Sequence, residues 1–410
     1  MLLPLADAQA HVLERIGALL AGERAVAEAL GLVLAERVVS TESVPPFANT
    51  AMDGYAVVAA DTAGASTGEP VRLPVVAEVA AGHPAPRALG AGEAMRIFTG
   101  APVPEGADAI VMVERTERLD GGAIVAIRAE AAVGDHIRAA GDDVHVGDEV
   151  FAPGELLTAG HLGVLATIGS RSVRTHPRPR VGVLSTGDEL VVDGAALQPG
   201  QIRESNRAAL LALLADDRFA AVDLGVVPDD EAAITTAIQT GASTCDAVLT
   251  SGGVSMGDID LVKVVLDRIG EMRWMQIAIR PAKPFAFGLV GEGTPVFGLP
   301  GNPVSSMVSY ELLARPALRK MAGHPPARWH RPAVAAVAAE PFVRQPDGKL
   351  HLVRVVGERD ADGVLRVRSA GGQGSHHLTG MAAAHGLALV PDGSGVAGGA
   401  SVQVLLRAEV

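Results

Sequence analysis

Residues 180–321 alternate short apolar runs with amphipathic segments, and this alternation constrains the fold more than any other feature of the chain. The run "RVGVLST" is followed by the helix-like "NRAALLALLADD", and "CDAVLTS" is followed later by "DLVKVVLDRIG". Near-continuous apolar strands joined by amphipathic helices are typical of a parallel sheet that is covered on both faces. The pattern therefore predicts a mostly parallel, three-layer α/β domain over residues 179–325.

The loops after the expected strands carry most of the chemically versatile side chains of this region. In an open parallel sheet, ligands bind outside the carboxyl ends of the strands. The acids in these loops are Asp188, Glu189, Asp229, Asp230, Asp258 and Asp260. Later loops add Arg280, Lys283 and the turn "GLPGNPVSS", which contains Asn302. The mixture predicts an anionic ligand bound by glycine N–H groups, serine and basic side chains, with a hard cation bound by the acids.

The loop "TSGGVSMGDID" (residues 250–260) brings donors and carboxylates together. Gly252, Gly253 and Ser255 offer N–H and O–H groups to a phosphate, and a cation between that phosphate and the acids would turn their repulsion into attraction. Mg²⁺ prefers oxygen ligands and commonly bridges one or two carboxylates to a phosphate. Ordinary roles stay open, because an aspartate before a helix is often an N-cap. A Gly-Gly pair after a strand is also often a tight turn.

The rest of the sequence divides into segments of different character. Residues 1–44 contain the helix-like "LADAQAHVLERIGALLAG", with Asp7 as a plausible N-cap, and "ERAVAEALGLVLAERVV", a second helix that runs into a strand. Short apolar runs between Gly, Pro and Asp clusters predict an inserted β domain over 45–150, and "LLTAGHLGVLATIGS" predicts a return to helix within 151–178. Residues 326–410 alternate apolar and polar positions, which predicts a small β-barrel or a sandwich.

Charge and cysteine content exclude several classes of function. The formal net charge of -13 argues against nucleic-acid binding, which needs a basic face. A single cysteine, Cys245, rules out a disulfide framework and is typical of a reducing compartment. The first residues lack the basic region and cleavage site of a signal peptide, and no apolar run reaches the roughly 18 residues of a membrane helix. We therefore expect a cytoplasmic protein that binds neither nucleic acid nor membrane.

Common nucleotide-binding motifs are missing from the predicted α/β domain. The Walker pattern does not occur, and G-x-G-x-x-G occurs only as "GSGVAG" (residues 393–398), outside that domain. The strings "GASTG" (64–68) and "GVSMG" (253–257) match G-x-S-x-G, but we do not interpret either as the nucleophile elbow of a Ser-His-Asp enzyme. The close histidine pair in "SHHL" lies on adjacent residues, whose side chains point apart in a strand, so it is a poor zinc site. These absences argue against a generic nucleotide-dependent enzyme such as a dehydrogenase or a phosphatase.

Three motifs of the inserted β segment carry further candidate residues. "NTAMDGYAV" contains Asp53, "RIFTGAPVPEGAD" contains Thr99, and "IRAAGDDV" contains Arg138 and Asp143. Each alone is consistent with a turn or a charged loop. Together with "GVLSTGDELV", "SGGVSMGDID", "RPAKPFAFG" and "GLPGNPVSS", in this order, they resemble the molybdopterin molybdenumtransferase (MoeA) family, to which the E domain of gephyrin is related. The resemblance covers roughly residues 5 to 405.

The resemblance implies an elongated, multidomain α/β subunit. Its parts are a split helical domain, an inserted β domain, a molybdopterin-binding α/β domain and a C-terminal β-barrel. It also implies a homodimer whose active cleft combines the α/β domain of one subunit with the inserted β domain of the other. The implied reaction is a magnesium-dependent transfer of molybdate to adenylylated molybdopterin, which gives molybdenum cofactor and AMP. A transient contact with a molybdopterin adenylyltransferase is a further expectation.

The family pattern assigns expected roles to individual residues of this chain. Magnesium is expected on Glu189, Asp229 and Asp260, which form the expected catalytic set with Asp53 and Asp143. The expected substrate-binding residues are Thr99, Arg138, Ser251, Gly252, Gly253, Ser255, Arg280, Lys283, Pro300, Asn302 and Pro303. Positioning and electrostatic stabilisation suffice for such a transfer, so no covalent nucleophile is expected. The alternative is a non-catalytic molybdopterin-binding scaffold of the same fold, which has no need for crowded acids.

Overall fold

The amino-terminal segment has less helix than its sequence pattern predicts. The computed structural model describes residues 2–192, 194–253 and 261–407. The first elements are α1 (Leu5–Glu14), β1 (Gly22–Ala25), β2 (Val33–Leu34) and β3 (Val38–Val39). Helix α1 begins after Pro4, so Asp7 lies inside the first turn and the expected N-cap role is wrong.

The inserted segment is a β domain with its own two cores. Its strands are β4 (Asn49–Thr50), β5 (Gly54–Val57), β6 (Val71–Val79), β7 (Ala94–Ile97), β8 (Ala109–Met112), β9 (Thr116–Leu119), β10 (Ile124–Ile127), β11 (Ile137–Arg138) and β12 (Glu149–Phe151). Six of them form a sheet in the order β8-β5-β7-β6-β10-β9. Successive residues of a strand face opposite sides of the sheet. Tyr55 and Val57 therefore enter one core while Ala56 enters the other.

Strand pairing joins the two halves of the domain that the β insertion interrupts. After the insertion come α2 (Ala159–Thr167) and β13 (Ser172–His176). Strand β13 lies between β1 and β2, and β12 pairs with β3. The expected helix over "ERAVAEALGLVLAERVV" is therefore wrong, whereas the expected helix in "LLTAGHLGVLATIGS" is present. Hydrogen bonds to β13 and β12 favour the extended conformation and override the helix propensity of these residues.

The predicted α/β domain is present. Its elements are β14 (Arg180–Thr186), β15 (Leu190–Val191), β16 (Ile202–Arg203), α3 (Asn206–Asp216), β17 (Ala220–Val227), α4 (Glu231–Thr244), β18 (Ala247–Ser251), α5 (Leu261–Ile269), β19 (Gly270–Gln276), β20 (Ile279–Arg280), β21 (Pro284–Val290), β22 (Thr294–Leu299), α6 (Pro303–Ser309) and α7 (Arg315–Met321), with a π-helical turn between α6 and α7. The sheet order is β17-β14-β18-β22-β21-β19. Strands β17, β14, β18 and β22 are parallel, and β21 and β19 run antiparallel at one edge.

Helices cover both faces of this sheet. Val181 and Val183 of β14 pack in a core with residues of α3, α6 and α7. Leu184, on the opposite face, packs in a second core with residues of α4 and α5. Helix α1 contributes Ala8 and Val12 to the first core, so the amino-terminal helix belongs to the α/β core. Burial on both faces explains why the strands read as continuous apolar runs.

The carboxyl-terminal segment is a closed barrel. Its elements are β23 (Ala333–Ala338), β24 (Phe342–Val343), β25 (Leu350–Arg359), β26 (Leu365–Ser369), α8 (Leu378–Ala382), β27 (Gly386–Val390), β28 (Gly395–Val396) and β29 (Ser401–Leu406). The ring β25-β26-β23-β29-β27 closes through pairing of β27 with β25, which decides between barrel and sandwich. Strand β20 adds to β25 and attaches the barrel to the α/β domain. Within the described part of the chain, no helix is long and apolar enough to cross a membrane.

Candidate functional site

A cavity of about 170 Å³ lies at the carboxyl ends of β14, β18 and β22. The sheet-edge rule predicts a site at this place. Predicted residues that line the cavity are Glu189, Ser251, Gly252 and Pro303. Polar residues that line it and that sequence reasoning missed are Ser185, Thr186, Arg203, Glu204, Ser205 and Asn206. We refer to it below as the sheet-edge cavity.

The Gly252-Gly253 pair makes a tight turn into the sheet-edge cavity. Both glycines have positive φ, +94° and +72°, and a Cβ on Gly253 would lie 2.3 Å from Val262. The Gly252 N–H donates to the carbonyl of Leu299 (3.1 Å), so it is engaged within the protein. This bond argues against the expected donation from Gly252 to a phosphate. Ser255 and Asp260, expected to act in the same loop, lie outside the described residues, as does Asp258.

Asn206 ties together the loops around the sheet-edge cavity. Its Nδ2 donates to Ser251 Oγ (2.8 Å) and to the carbonyl of Gly301 (2.6 Å). Its Oδ1 is buried and has no hydrogen-bond partner among the described residues. A buried acceptor without a partner is costly, so the Oδ1 is suited to accept a donor from a ligand. The only signal in the sequence was a polar residue at the start of a helix, which is too common to single out.

The floor of this cavity carries a buried carboxylate. Glu204 accepts hydrogen bonds from Ser185 Oγ (3.0 Å) and from the backbone N–H of Arg207 (2.7 Å). Its side chain is 3% exposed, and the Arg207 guanidinium lies 3.8 Å away. Arg207 also pairs with Asp223, and this bond contributes to lowering the pKa of Asp223 against the opposing effect of burial. These bonds fix the start of α3 beneath the cavity.

The exposed acids at the ends of β14 and β17 divide into two kinds. Asp230 caps α4 through Ala233 N (2.8 Å), so the ordinary N-cap role holds there. Asp188 Oδ1 accepts from the backbone N–H of Asp229 (3.1 Å), which brings the two loops together. Glu189 and Asp229 have no side-chain hydrogen bond or ion pair within residues 2–192, 194–253 and 261–407. Free carboxylates of this kind fit the one or two protein ligands that Mg²⁺ usually takes. No group of three or more potential metal ligands occurs within those residues.

Arg280 lines a different and larger cavity, of about 600 Å³, between the α/β domain and the barrel. Strand pairing places Arg280 beside His351, and Gln373 and Gly374 of the barrel also line the space. Between Arg280 and Lys283, Ala282 is buried with φ +76°, a conformation that favours glycine. Lys283 is exposed, and its carbonyl accepts from Ile277 N (2.7 Å). We refer to this space as the barrel cavity.

Arg354, which sequence reasoning missed, is a fully buried cation next to the barrel cavity. Its Nη2 donates to the carbonyls of Gly372 (2.7 Å) and Gly374 (3.0 Å). Its Nε and Nη1 have no partner among the described residues, and burial lowers its pKa. A buried guanidinium that faces only carbonyl oxygens retains its positive charge, which favours an anion nearby. In the sequence it is one arginine of an alternating strand, which gives no warning of its burial.

The start of α6 lies close to both cavities. Asn302 precedes the helix without a side-chain cap, and Pro300 is buried at the end of β22. Pro303 lines the sheet-edge cavity, and Val304 N donates to the carbonyl of Ser375 (3.1 Å), which is adjacent to Gly374 of the barrel cavity. The two cavities therefore flank one turn of the "GLPGNP" motif.

The candidate residues of the inserted β domain form a separate group. Asp53 Oδ1 accepts from the backbone N–H (2.7 Å) and the hydroxyl (2.6 Å) of Thr99, and these bonds hold the pKa of Asp53 below its ordinary value. Arg138 is exposed on β11, opposite Asn49 of β4. Asp143 is exposed, and its N–H donates to the carbonyl of Val44 (2.9 Å). Among the described contacts named here, the Asp143–Val44 bond reaches the amino-terminal segment, and the others stay within the β domain.

Fold and cavities together define a class of multidomain protein in which an α/β domain carries the site and a barrel closes one side. Three family profiles match in order: the MoeA N-terminal region (domain I and II) over residues 3–169, a probable molybdopterin binding domain over 182–320, and the MoeA C-terminal region (domain IV) over 335–406. Molybdopterin molybdenumtransferase 2 of Mycobacterium tuberculosis is 43% identical over 386 residues, which cover 92% of this chain and 93% of that protein. The chain belongs to the molybdopterin molybdenumtransferase family.

Two further relatives agree with this assignment. Molybdopterin molybdenumtransferase of Haemophilus influenzae is 39% identical over 349 residues, covering 85% of this chain and 84% of its own. The crystal structure of a molybdopterin biosynthesis moeA protein from Pyrococcus horikoshii superimposes with a TM-score of 0.82 at 29% identity, over 99% of this chain and 100% of that one. The family resemblance and the multidomain α/β fold predicted from the sequence are therefore confirmed.

Proposed function

We propose that this chain is a transferase that inserts molybdate into molybdopterin during molybdenum cofactor biosynthesis. Membership of the family, with 43% identity to a molybdopterin molybdenumtransferase over almost the whole chain, supports this activity. The structural observation that carries the proposal is the pair of cavities close to the start of α6. The sheet-edge cavity offers carboxylate, hydroxyl and amide groups together with Arg203. The barrel cavity offers Arg280 and Arg344 together with the acids Glu340 and Asp347.

The two cavities suit different parts of the reacting system. In the sheet-edge cavity, the unpaired Asn206 Oδ1 accepts an N–H group such as those of a pterin, and Ser251 is held in place by the same side chain. In the barrel cavity, Arg280 and the nearby buried Arg354 attract an oxyanion such as molybdate. Holding both partners next to one turn of backbone supplies the proximity that a metal transfer to a dithiolene requires.

Magnesium is part of the proposal. Glu189 and Asp229 would hold it, with Asp260 as the expected third ligand outside the described residues. Bound there, the ion would offset the negative charge of an adenylylated substrate. The side chains of this chain position the substrate, and their free carboxylates are suited to hold the ion close to a phosphate.

The functional oligomer is proposed to be a homodimer. The inserted β domain exposes four of the expected site residues: Asp53, Thr99, Arg138 and Asp143. Their bonds named above, within the described residues, do not reach the α/β domain. A second subunit would bring this group to the sheet edge of the first. The substrate is proposed to be adenylylated molybdopterin, delivered in the cytoplasm through transient contact with an adenylyltransferase, with AMP as the second product.

Production of molybdenum cofactor from adenylylated molybdopterin and molybdate by the purified protein tests the activity. Mixing the variants Asp53→Ala and Glu189→Gln tests the shared cleft, because a mixed dimer contains one cleft with both native residues. We expect each variant to be inactive alone. The mixture should regain about a quarter of the wild-type rate if subunits pair at random, and about a half if only mixed dimers form. A mixture as inactive as its components, in a protein shown to exchange subunits, would contradict the dimeric site.

A further inference from the structure

A third cavity, of about 190 Å³, lies away from both candidate sites. It is bounded by the linker between β13 and β14 (residues 177–179), the turn after α3 and the end of α7. Gly31 and its neighbours in the amino-terminal segment close another side. The amino-terminal segment and the α/β domain therefore meet at this cavity, which we call the junction cavity.

Two arginines converge at its rim. A Cβ placed on Gly31 would lie 2.6 Å from Arg218 Nη1 and 3.5 Å from Arg178 Nη2, so both guanidinium groups lie against the same glycine. Arg178 Nη2 donates to the carbonyl of Leu30 (2.9 Å). Within the described part of the chain, neither guanidinium has a carboxylate partner. Two neighbouring cations without a counter-ion repel each other, and an anion between them removes that cost.

Arg319 and the uncharged His324 also line the junction cavity. Arg319 Nη2 donates to His324 Nδ1 (3.3 Å), which places the histidine proton on Nε2. Burial and the neighbouring arginines lower the pKa of Arg319 to about 10 and the pKa of His324 to about 4. Burial is the largest cause of both shifts, and the neighbouring arginines add to it. His324 at neutral pH is therefore an uncharged donor beside Arg319.

Two acids also line the junction cavity, and they do not neutralise it equally. Asp217 is buried and already accepts from Arg315 Nε (2.9 Å) and the Tyr310 hydroxyl (2.8 Å). Asp216 is exposed at the end of α3 and has no side-chain bond within the described residues. The negative charge of Asp216 therefore weakens anion binding without abolishing it. Removing that charge should strengthen anion binding, which gives an internal control.

We propose that the junction cavity is a binding site for a small tetrahedral oxyanion of the phosphate class. The planar guanidinium fork binds such oxyanions through paired hydrogen bonds. A cavity of about 190 Å³ has room for a free ion of this kind. The bound ion bridges the amino-terminal segment and the α/β domain and stabilises their junction.

Calorimetric titration of the full-length protein tests this proposal. Phosphate, sulfate and molybdate are titrated at constant ionic strength, with nitrate as a planar monovalent control. We expect Arg218→Gln to weaken one binding event at least tenfold, because a charge-assisted hydrogen bond to the anion is lost. Asp216→Asn should tighten the same event. Arg72→Gln, at an exposed arginine of the β domain, should change nothing.

The variant Arg354→Met separates this site from the barrel cavity. In this variant we expect no change in the binding event that Arg218→Gln weakens. Comparing phosphate with molybdate shows whether an abundant cellular ion or the proposed substrate itself binds more tightly at the junction. The proposal is overturned if the oxyanions bind no better than nitrate, or if Arg218→Gln and Arg72→Gln give the same binding curves. It is also overturned if Asp216→Asn weakens binding.

Discussion

Replacement of Arg354 by methionine is expected to separate anion binding from fold stability. The substitution removes two charge-assisted hydrogen bonds, to the carbonyls of Gly372 and Gly374, each of which is worth about 1.5–3 kcal/mol. It also removes the cost of burying a cation without a carboxylate partner, which is several kcal/mol. Because these contributions oppose each other and methionine keeps the apolar stem of the side chain, we expect the free energy of unfolding to change by no more than about 2 kcal/mol.

The loop next to Arg354 keeps its other anchor in this variant. Gln373 Oε1 accepts from the backbone N–H of Arg354 (2.9 Å), and Gln373 Nε2 donates to its carbonyl (3.0 Å). Both bonds use the backbone and persist with methionine at position 354. The loop should therefore stay in place while the positive charge disappears. Molybdate affinity is expected to fall at least tenfold, which corresponds to about 1.4 kcal/mol.

Urea unfolding gives the stability change, and equilibrium dialysis with molybdate gives the affinity. Arg368→Met is the matched control, since Arg368 is an exposed arginine of the neighbouring strand β26. Equal molybdate affinity in wild type and Arg354→Met would refute the anion-binding role. A loss of more than about 4 kcal/mol in stability would show that Arg354 is needed mainly for the fold.

Three further predictions concern carboxylate and histidine chemistry. Glu189→Gln should abolish magnesium-dependent turnover without loss of stability. Glu271→Gln, which changes an exposed acid on β19, should retain magnesium-dependent turnover. Kinetic assays across magnesium concentrations check both expectations. Thr99→Val removes the largest cause of the lowered pKa of Asp53, so Asp53 should titrate at higher pH when followed by carboxyl NMR. His324 has a folded pKa of about 4 against an ordinary 6.5, so protonation favours unfolding and stability should fall as pH drops from 6.5 towards 4. His324→Gln should flatten that dependence in urea unfolding curves measured between pH 4 and pH 7.

Periodicity predicted the α/β domain well because its strands are buried on both faces. Such strands must be continuously apolar, and their helices must be amphipathic, so the pattern has few alternative interpretations. The stretch at residues 23–39 has no such constraint. Its alanine, valine and leucine residues suit either a helix or short strands, and pairing of β1 and β2 with β13, more than 130 residues away, decides the outcome.

The candidate site was only partly predictable for a similar reason. Residues in motifs, such as Glu189 and Ser251, were found because the sheet-edge rule selects the loops after strands. Asn206, Glu204 and Arg354 act through partners that are distant in sequence or that belong to loops without a pattern. Their side chains become informative only when burial and unpaired atoms are known.

Release of AMP from adenylylated molybdopterin by the purified protein, measured with and without molybdate and with and without magnesium, tests the central claim most directly. The account predicts release that requires both ions, with one molybdenum cofactor formed for each AMP. Tight binding of the adenylylated substrate without AMP release under any of these conditions would contradict it and favour a non-catalytic scaffold.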